Sequence, residues 1–149
     1  MVSKKRSRRK RGADKRQAKI EARMLLRDYV ILRDADICQK CDEIVYGRSA
    51  HTSHVYSKGK YPRLEFEPAN VKLLCRDCHG LWHANPSEAM LWWRSTFPDR
   101  NAEMIALLVH ENDWQQASLS IHWYKHQLER LRGLIDSLVS QKEMNNEPH

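Results

Sequence analysis

Residues 53–83 read SHVYSKGKYPRLEFEPANVKLLCRDCHGLWH, and this stretch decides the fold. Residues 70–74 (NVKLL) are apolar with a β-branched start and suit a strand; residues 49–56 suit a second, short one. Between them, residues 57–69 carry Gly59, Pro62 and Pro68 and read as an extended loop. A Cys-x-x-Cys unit then opens a short helix around residues 77–83. The expected order is strand, loop, strand, helix, with His54, Asn70, His79 and His83 distributed along it.

The cysteines come next. Cys38-Gln39-Lys40-Cys41 and Cys75-Arg76-Asp77-Cys78 are two C-x-x-C units with 33 residues between them. Two residues between thiolates let both sulfurs reach one tetrahedral Zn²⁺ at about 2.3 Å, and two such units fill its shell. A filled shell leaves no open position, so this ion is read as structural, with free thiols or a redox pair as the alternatives. All four cysteines of the chain lie in these units. That usage and the lack of a signal-peptide pattern lead us to expect a reducing cytoplasm.

His79 and His83 stand four apart in the short helix, so both face one side. The cysteine pair centres about 90° away around the helix, which leaves a separate face for a second metal. His122 and His126 share the spacing and read as surface residues.

On the N-terminal side, residues 1–12 read as a disordered basic arm, and a helix occupies residues 13–37. Ala18, Ala22, Leu25, Leu26, Tyr29 and Val30 recur there at three- and four-residue spacing. Residues 1–19 hold ten Lys/Arg against Asp14, while the whole chain is only +7, so the rest is slightly acidic. A basic block of this kind self-repels when alone and binds a polyanion by releasing its counterions. Lys4, Lys5, Arg6, Arg8, Arg9, Lys10 and Arg11 are therefore read as DNA-binding, against a solubilising tail or a nuclear import signal. Lys58 and Arg63 flank the histidine region and could add phosphate contacts.

On the C-terminal side, residues 87–141 form a helical extension. Asn85-Pro86-Ser87-Glu88 is a helix start, and Pro98-Asp99 breaks that helix and begins another. From about residue 116, Ile121, Tyr124, Leu128, Leu131, Ile135 and Leu138 form a heptad-like seam. It suits packing on the chain's own helices; a homodimer is the alternative. Residues 142–149 read as a disordered tail. The mean hydropathy of −0.76 goes with no membrane-length apolar run.

The pattern Ser53-His54, Asn70, Cys78-His79 and His83 resembles the HNH (ββα-metal) endonucleases. The gaps of 16, 9 and 4 residues suit that family. The C-x-x-C-His join after Asn-Val-Lys-Leu-Leu resembles its zinc-braced branch, and His-Val-Tyr-Ser-Lys-Gly resembles phage members such as NinG-type recombination proteins. The resemblance covers about residues 38–86. It implies an α+β chain, mostly helical overall, with a small zinc-braced ββα-metal core flanked by N- and C-terminal helices.

The resemblance also implies roles. His54 is the general base and Asn70 orients it. His79 and His83 hold one catalytic divalent cation (Mg²⁺, Mn²⁺, Ni²⁺ or Zn²⁺) for the hydrolysis of DNA phosphodiesters. The residue before the base is usually Asp or His and ligates the metal; here it is Ser53, a poor ligand. Water, or His51, is the alternative for that place. A phage-encoded DNA endonuclease in a bacterial host is the reading implied. A zinc-stabilised, non-catalytic DNA binder, or an accessory of a phage recombination or packaging complex, is its alternative.

Overall fold

A computed structural model describes residues 2–110 and 119–145, without the side chains of residues 2–8 and 110. The described chain is mostly helical. It contains α1 (Val2–Arg33), β1 (His51–His54), β2 (Val71–Leu74), α2 (Arg76–Ala84), α3 (Pro86–Thr96), α4 (Pro98–His110) and α5 (Ile121–Asn145). Its contacts divide it into two units, Val30–Ala117 and the pair Met1–Tyr29 with Ser118–His149.

In the first of these units, β1 and β2 pair antiparallel, with His51 opposite Leu74, Ser53 opposite Lys72 and His54 opposite Val71. Every residue of β2 is buried, including Lys72. The segment between the strands is not the extended loop expected. It winds into 3₁₀ turns at Pro62–Phe66 and Pro68–Asn70, each opened by its proline. These turns bring Leu64 and Ala69 against Met104 of α4, with Tyr56 and Tyr61 packed around them.

Two arginines hold the segment before β2. Arg33 donates to the carbonyls of Pro68 and Val71 at 2.8 and 2.7 Å. Arg100 reaches the carbonyls of Pro68, Ala69 and Val71, its guanidinium lying 4.9 Å from the ring centroid of Trp93. Asp34 pairs with Arg33 at 2.7 Å and accepts from the Leu73 amide at 2.9 Å, which fastens the end of α1 to the middle of β2. Burying a carboxylate costs least when it is paired and hydrogen-bonded in this way.

In the other unit, Ala18, Ala22 and Leu26 are the buried positions of α1, and Tyr124, Leu128 and Leu131 those of α5. The Lys19 ammonium lies 5.8 Å from the Tyr124 ring centroid. Three seam positions of α5 are thus buried against the chain itself. Ile121, Ile135 and Leu138 are half-buried.

Some boundaries differ from the sequence expectation. The helix begins at Val2 and takes in residues expected as a disordered arm, and it ends at Arg33, short of residue 37. Lys and Arg are good helix formers and no proline interrupts the segment, so the helix propagates through it. At its other end, Ala35 and Asp36 adopt positive φ and turn the chain into the first cysteine unit. Helix α5 runs on to Asn145, into residues expected as tail; residues 146–149, and the expected helix start at 116, lie outside the described residues.

Lys72 sets a test of the packing. Its amine lies 3.2 Å from the Trp82 ring centroid and 3.4 Å from Ser53 Oγ, with no carboxylate partner among the described residues. Burial, reinforced by the charge of Arg100, pulls its pKa down to about 6. Between there and the ordinary lysine value the unfolded chain carries a proton that the folded chain lacks. Stability should therefore rise with pH across that window, at most about 1.4 kcal/mol per unit. Lys72→Met should raise the melting temperature at pH 7 by several degrees and flatten that rise. Thermal melts at pH 7 would show the first and denaturant melts at several pH values the second; an unchanged slope would mean the amine is charged in the fold.

Candidate functional site

Two clusters of chemistry lie in the unit that carries the sheet. The first is the cysteine set. Ile37 and Ile44 form an isolated bridge, the Cys38 amide donates to Glu43 O at 2.8 Å, and the Gln39 amide donates to Leu73 O at 2.9 Å. The first C-x-x-C unit is thereby fastened to β2. Cys75 caps α2, its sulfur accepting from the Cys78 amide at 3.4 Å.

All four sulfurs lie within 4.8 Å of one another, and Cys41 Sγ is 3.8 Å from Cys75 Sγ. Sulfurs about 2.3 Å from a shared tetrahedral ion are separated by about 3.8 Å, so the set fits a metal ion. Burial pushes the Cys75 and Cys78 thiols up. At Cys38 burial acts the same way, but backbone hydrogen bonds from residues 75, 40 and 41 outweigh it and hold that thiol below its usual range.

The second cluster is a cleft of about 410 Å³ lined by Thr52, His54, His79, Trp82, His83 and residues of α3. His54 Nε2 lies 2.9 Å from Glu65 O. A carbonyl only accepts, so Nε2 carries the proton and Nδ1 keeps the lone pair. Burial holds His54 below the ordinary histidine range, partly opposed by that same carbonyl bond.

Asn70 is fully buried and all of its polar capacity goes to the backbone. Its Oδ1 accepts from the Tyr56 amide at 2.7 Å, and its Nδ2 donates to Tyr56 O at 3.0 Å and Leu64 O at 2.8 Å. One side chain thus joins the residue two after His54 to the turn whose next residue accepts from His54.

On α2, His79 Nε2 and His83 Nε2 are 3.1 Å apart, as the i,i+4 spacing allows. Imidazole nitrogens about 2.0–2.1 Å from a shared ion lie about 3.0–3.4 Å apart, so this pair fits two neighbouring metal positions. The other nitrogen of His79, Nδ1, lies 3.0 Å from His51 Nδ1. His51, His79 and His83 therefore form a chain through opposite nitrogens of the middle ring. Among the described residues, the closed set of metal-type donors is the four cysteines. Burial lowers the His79 pKa, and the charges of His83 and His51 lower it further.

Ser53 does not join this group. It is 1% exposed and its hydroxyl faces Lys72. The sheet register explains this, because Ser53 stands opposite Lys72 and both project to one face. His51, two residues earlier on that face, meets α2 instead. Strand alternation alone does not reveal the meeting, since it depends on where α2 crosses the sheet.

The basic residues spread out. Lys58 is exposed at the cleft, Arg63 is half-buried on a 3₁₀ turn, and Arg9, Lys10 and Arg11 are exposed on α1. The side chains of Lys4, Lys5, Arg6 and Arg8 lie outside the described residues. Arg33, Asp34, Lys72 and Arg100 support the site, and no sequence motif marks them. Comparison with family models, curated proteins and solved structures finds no match to this chain.

Proposed function

We propose that this chain is a divalent-metal-dependent DNA endonuclease of HNH type, with a zinc-braced ββα-metal core. The observation that carries the reading is that His54 and the distant pair His79 and His83 line one cleft at a strand–strand–helix unit. The cysteine set is read as a structural Zn²⁺ site.

In this reading His54 Nδ1 takes the proton from the attacking water. Asn70 clamps the backbone that aims it, and Lys58 helps to hold the phosphodiester. His79 and His83 would hold the divalent cation through their Nε2 atoms, with His51 behind His79 as a supporting contact on its Nδ1. When bound, such a cation offsets the charge that develops on the phosphate and leaving oxygen. The exposed basic face of α1 supplies affinity independent of sequence.

The test is nicking of supercoiled plasmid with Mg²⁺, Mn²⁺ or Ni²⁺ added. Nicking should depend on the added cation, and His79→Ala or His83→Ala should remove it. His51→Ala should raise the cation concentration for half-maximal nicking by about 10- to 100-fold, the usual effect of losing a supporting contact. Ser53→Ala should leave that concentration alone. The reverse pattern would restore Ser53 as the ligand.

One observation favours a second reading, a DNA binder without catalysis. The position where HNH enzymes carry an acidic or histidine ligand holds a buried serine turned to an amine. That reading gives salt-sensitive binding with no cleavage in any cation.

A further inference from the structure

The histidine cleft has two unlike walls. His54, Lys58, His79 and His83 supply polar lining; Pro86, Ala89 and Met90, at three- and four-residue spacing on α3, supply apolar lining. The chemistry assigned above uses only the first. A phosphodiester is polar on every side and gains nothing from a proline ring and a thioether. The apolar wall is built by the first turns of α3, a helix to which none of the proposed hydrolytic residues belongs.

Ala89 is buried and fixes the floor, while Met90 is half-buried and Pro86 exposed, so the wall faces an open space. A volume of about 410 Å³ holds more than one phosphate group. The surplus lies against apolar surface, where a planar, weakly hydrated group would displace water at a gain. In a nucleic acid, the group of that kind covalently next to a phosphate is the base.

We propose that the apolar wall binds one unstacked nucleobase adjoining the phosphate held by the histidine wall, so that the cleft takes a nucleotide out of its helix. The proposal rests on the DNA-hydrolase reading for the identity of the anion. Extruding a paired base costs a few kcal/mol and an unpaired one less, so the site favours DNA with an unpaired nucleotide.

The test measures binding with no divalent cation added, so hydrolysis plays no part. Three short duplexes of equal phosphate number serve as probes: fully matched, with one unpaired aminopurine, and with an abasic residue at that place. Equal phosphate number makes the contribution of the basic helix the same for all three. Base contacts with aromatic and apolar side chains are worth about 1–3 kcal/mol, so the aminopurine duplex should bind about 5- to 150-fold tighter than the abasic one.

Met90→Glu should remove that difference between the aminopurine and abasic duplexes. Leu91→Glu, at a position 69% exposed, should keep it and controls for the fold of α3. Equal affinity for the aminopurine and abasic duplexes, or a preference that survives Met90→Glu, overturns the proposal. A protein that never nicks yet keeps the base-dependent binding sinks the hydrolase reading and leaves this site standing. One that nicks with no base dependence does the opposite.

Discussion

Stripping the ion from the cysteine set is expected to unfold the unit Val30–Ala117, not merely to loosen a loop. The four sulfurs join the start of that unit to the end of β2 and the first turn of α2. Cys38, Cys75 and Cys78 are buried, so without an ion their polar sulfur groups would face one another in the interior. Structural Zn²⁺ contributes about 10–16 kcal/mol in zinc-finger peptides at neutral pH, as much as the whole stability of an ordinary domain.

Exhaustive chelation, or Cys78→Ser, should therefore abolish the near-ultraviolet signal of Trp93, which is fully buried in this unit, and shift tryptophan emission to the red. Re-addition of Zn²⁺ should restore both in the parent and not in the variant. A chain shown by elemental analysis to be metal-free, yet melting as before, would mean that the thiols alone suffice.

The second large effect is on catalysis. His54→Ala should lower the nicking rate by about 10²- to 10⁴-fold, the usual contribution of a positioned base. The pH profile makes the assignment specific. Burial holds His54 below the ordinary histidine range, so the base form is already present in mildly acidic solution. The rate should climb with pH, reach half its limit below the ordinary histidine value of about 6.5 and be level by neutrality. A parent profile still climbing steeply above neutrality, or a variant as fast as the parent, would remove His54 from this role.

Much of the outline was legible along the chain. Pro86 and Pro98 each open a helix as their fixed φ and missing amide proton allow. The apolar run at 71–74 pairs with the short strand at 51–54. In the loop between, Pro62 and Pro68 suggest breakers and an extended path; both instead start 3₁₀ turns, which proline tolerates at a first position. The reach of α1 down to Val2 goes against the disorder that like-charge repulsion suggests, because Lys and Arg are good helix formers.

The sequence by itself determined that Cys38 would stand beside Cys41 and Cys75 beside Cys78, and that His79 and His83 would share one face of a helix. Both are local matters: two residues between thiols, and four residues along a helix, bring side chains together whatever surrounds them. Tertiary structure alone decided that His51 and not Ser53 meets His79, and that the Lys72 amine is sealed beneath Trp82. The crossing of α2 over the sheet sets which member of a strand face is touched, and burial decides whether an amine keeps its charge. Neither is a property of neighbouring residues, because each depends on surfaces brought together from distant parts of the chain.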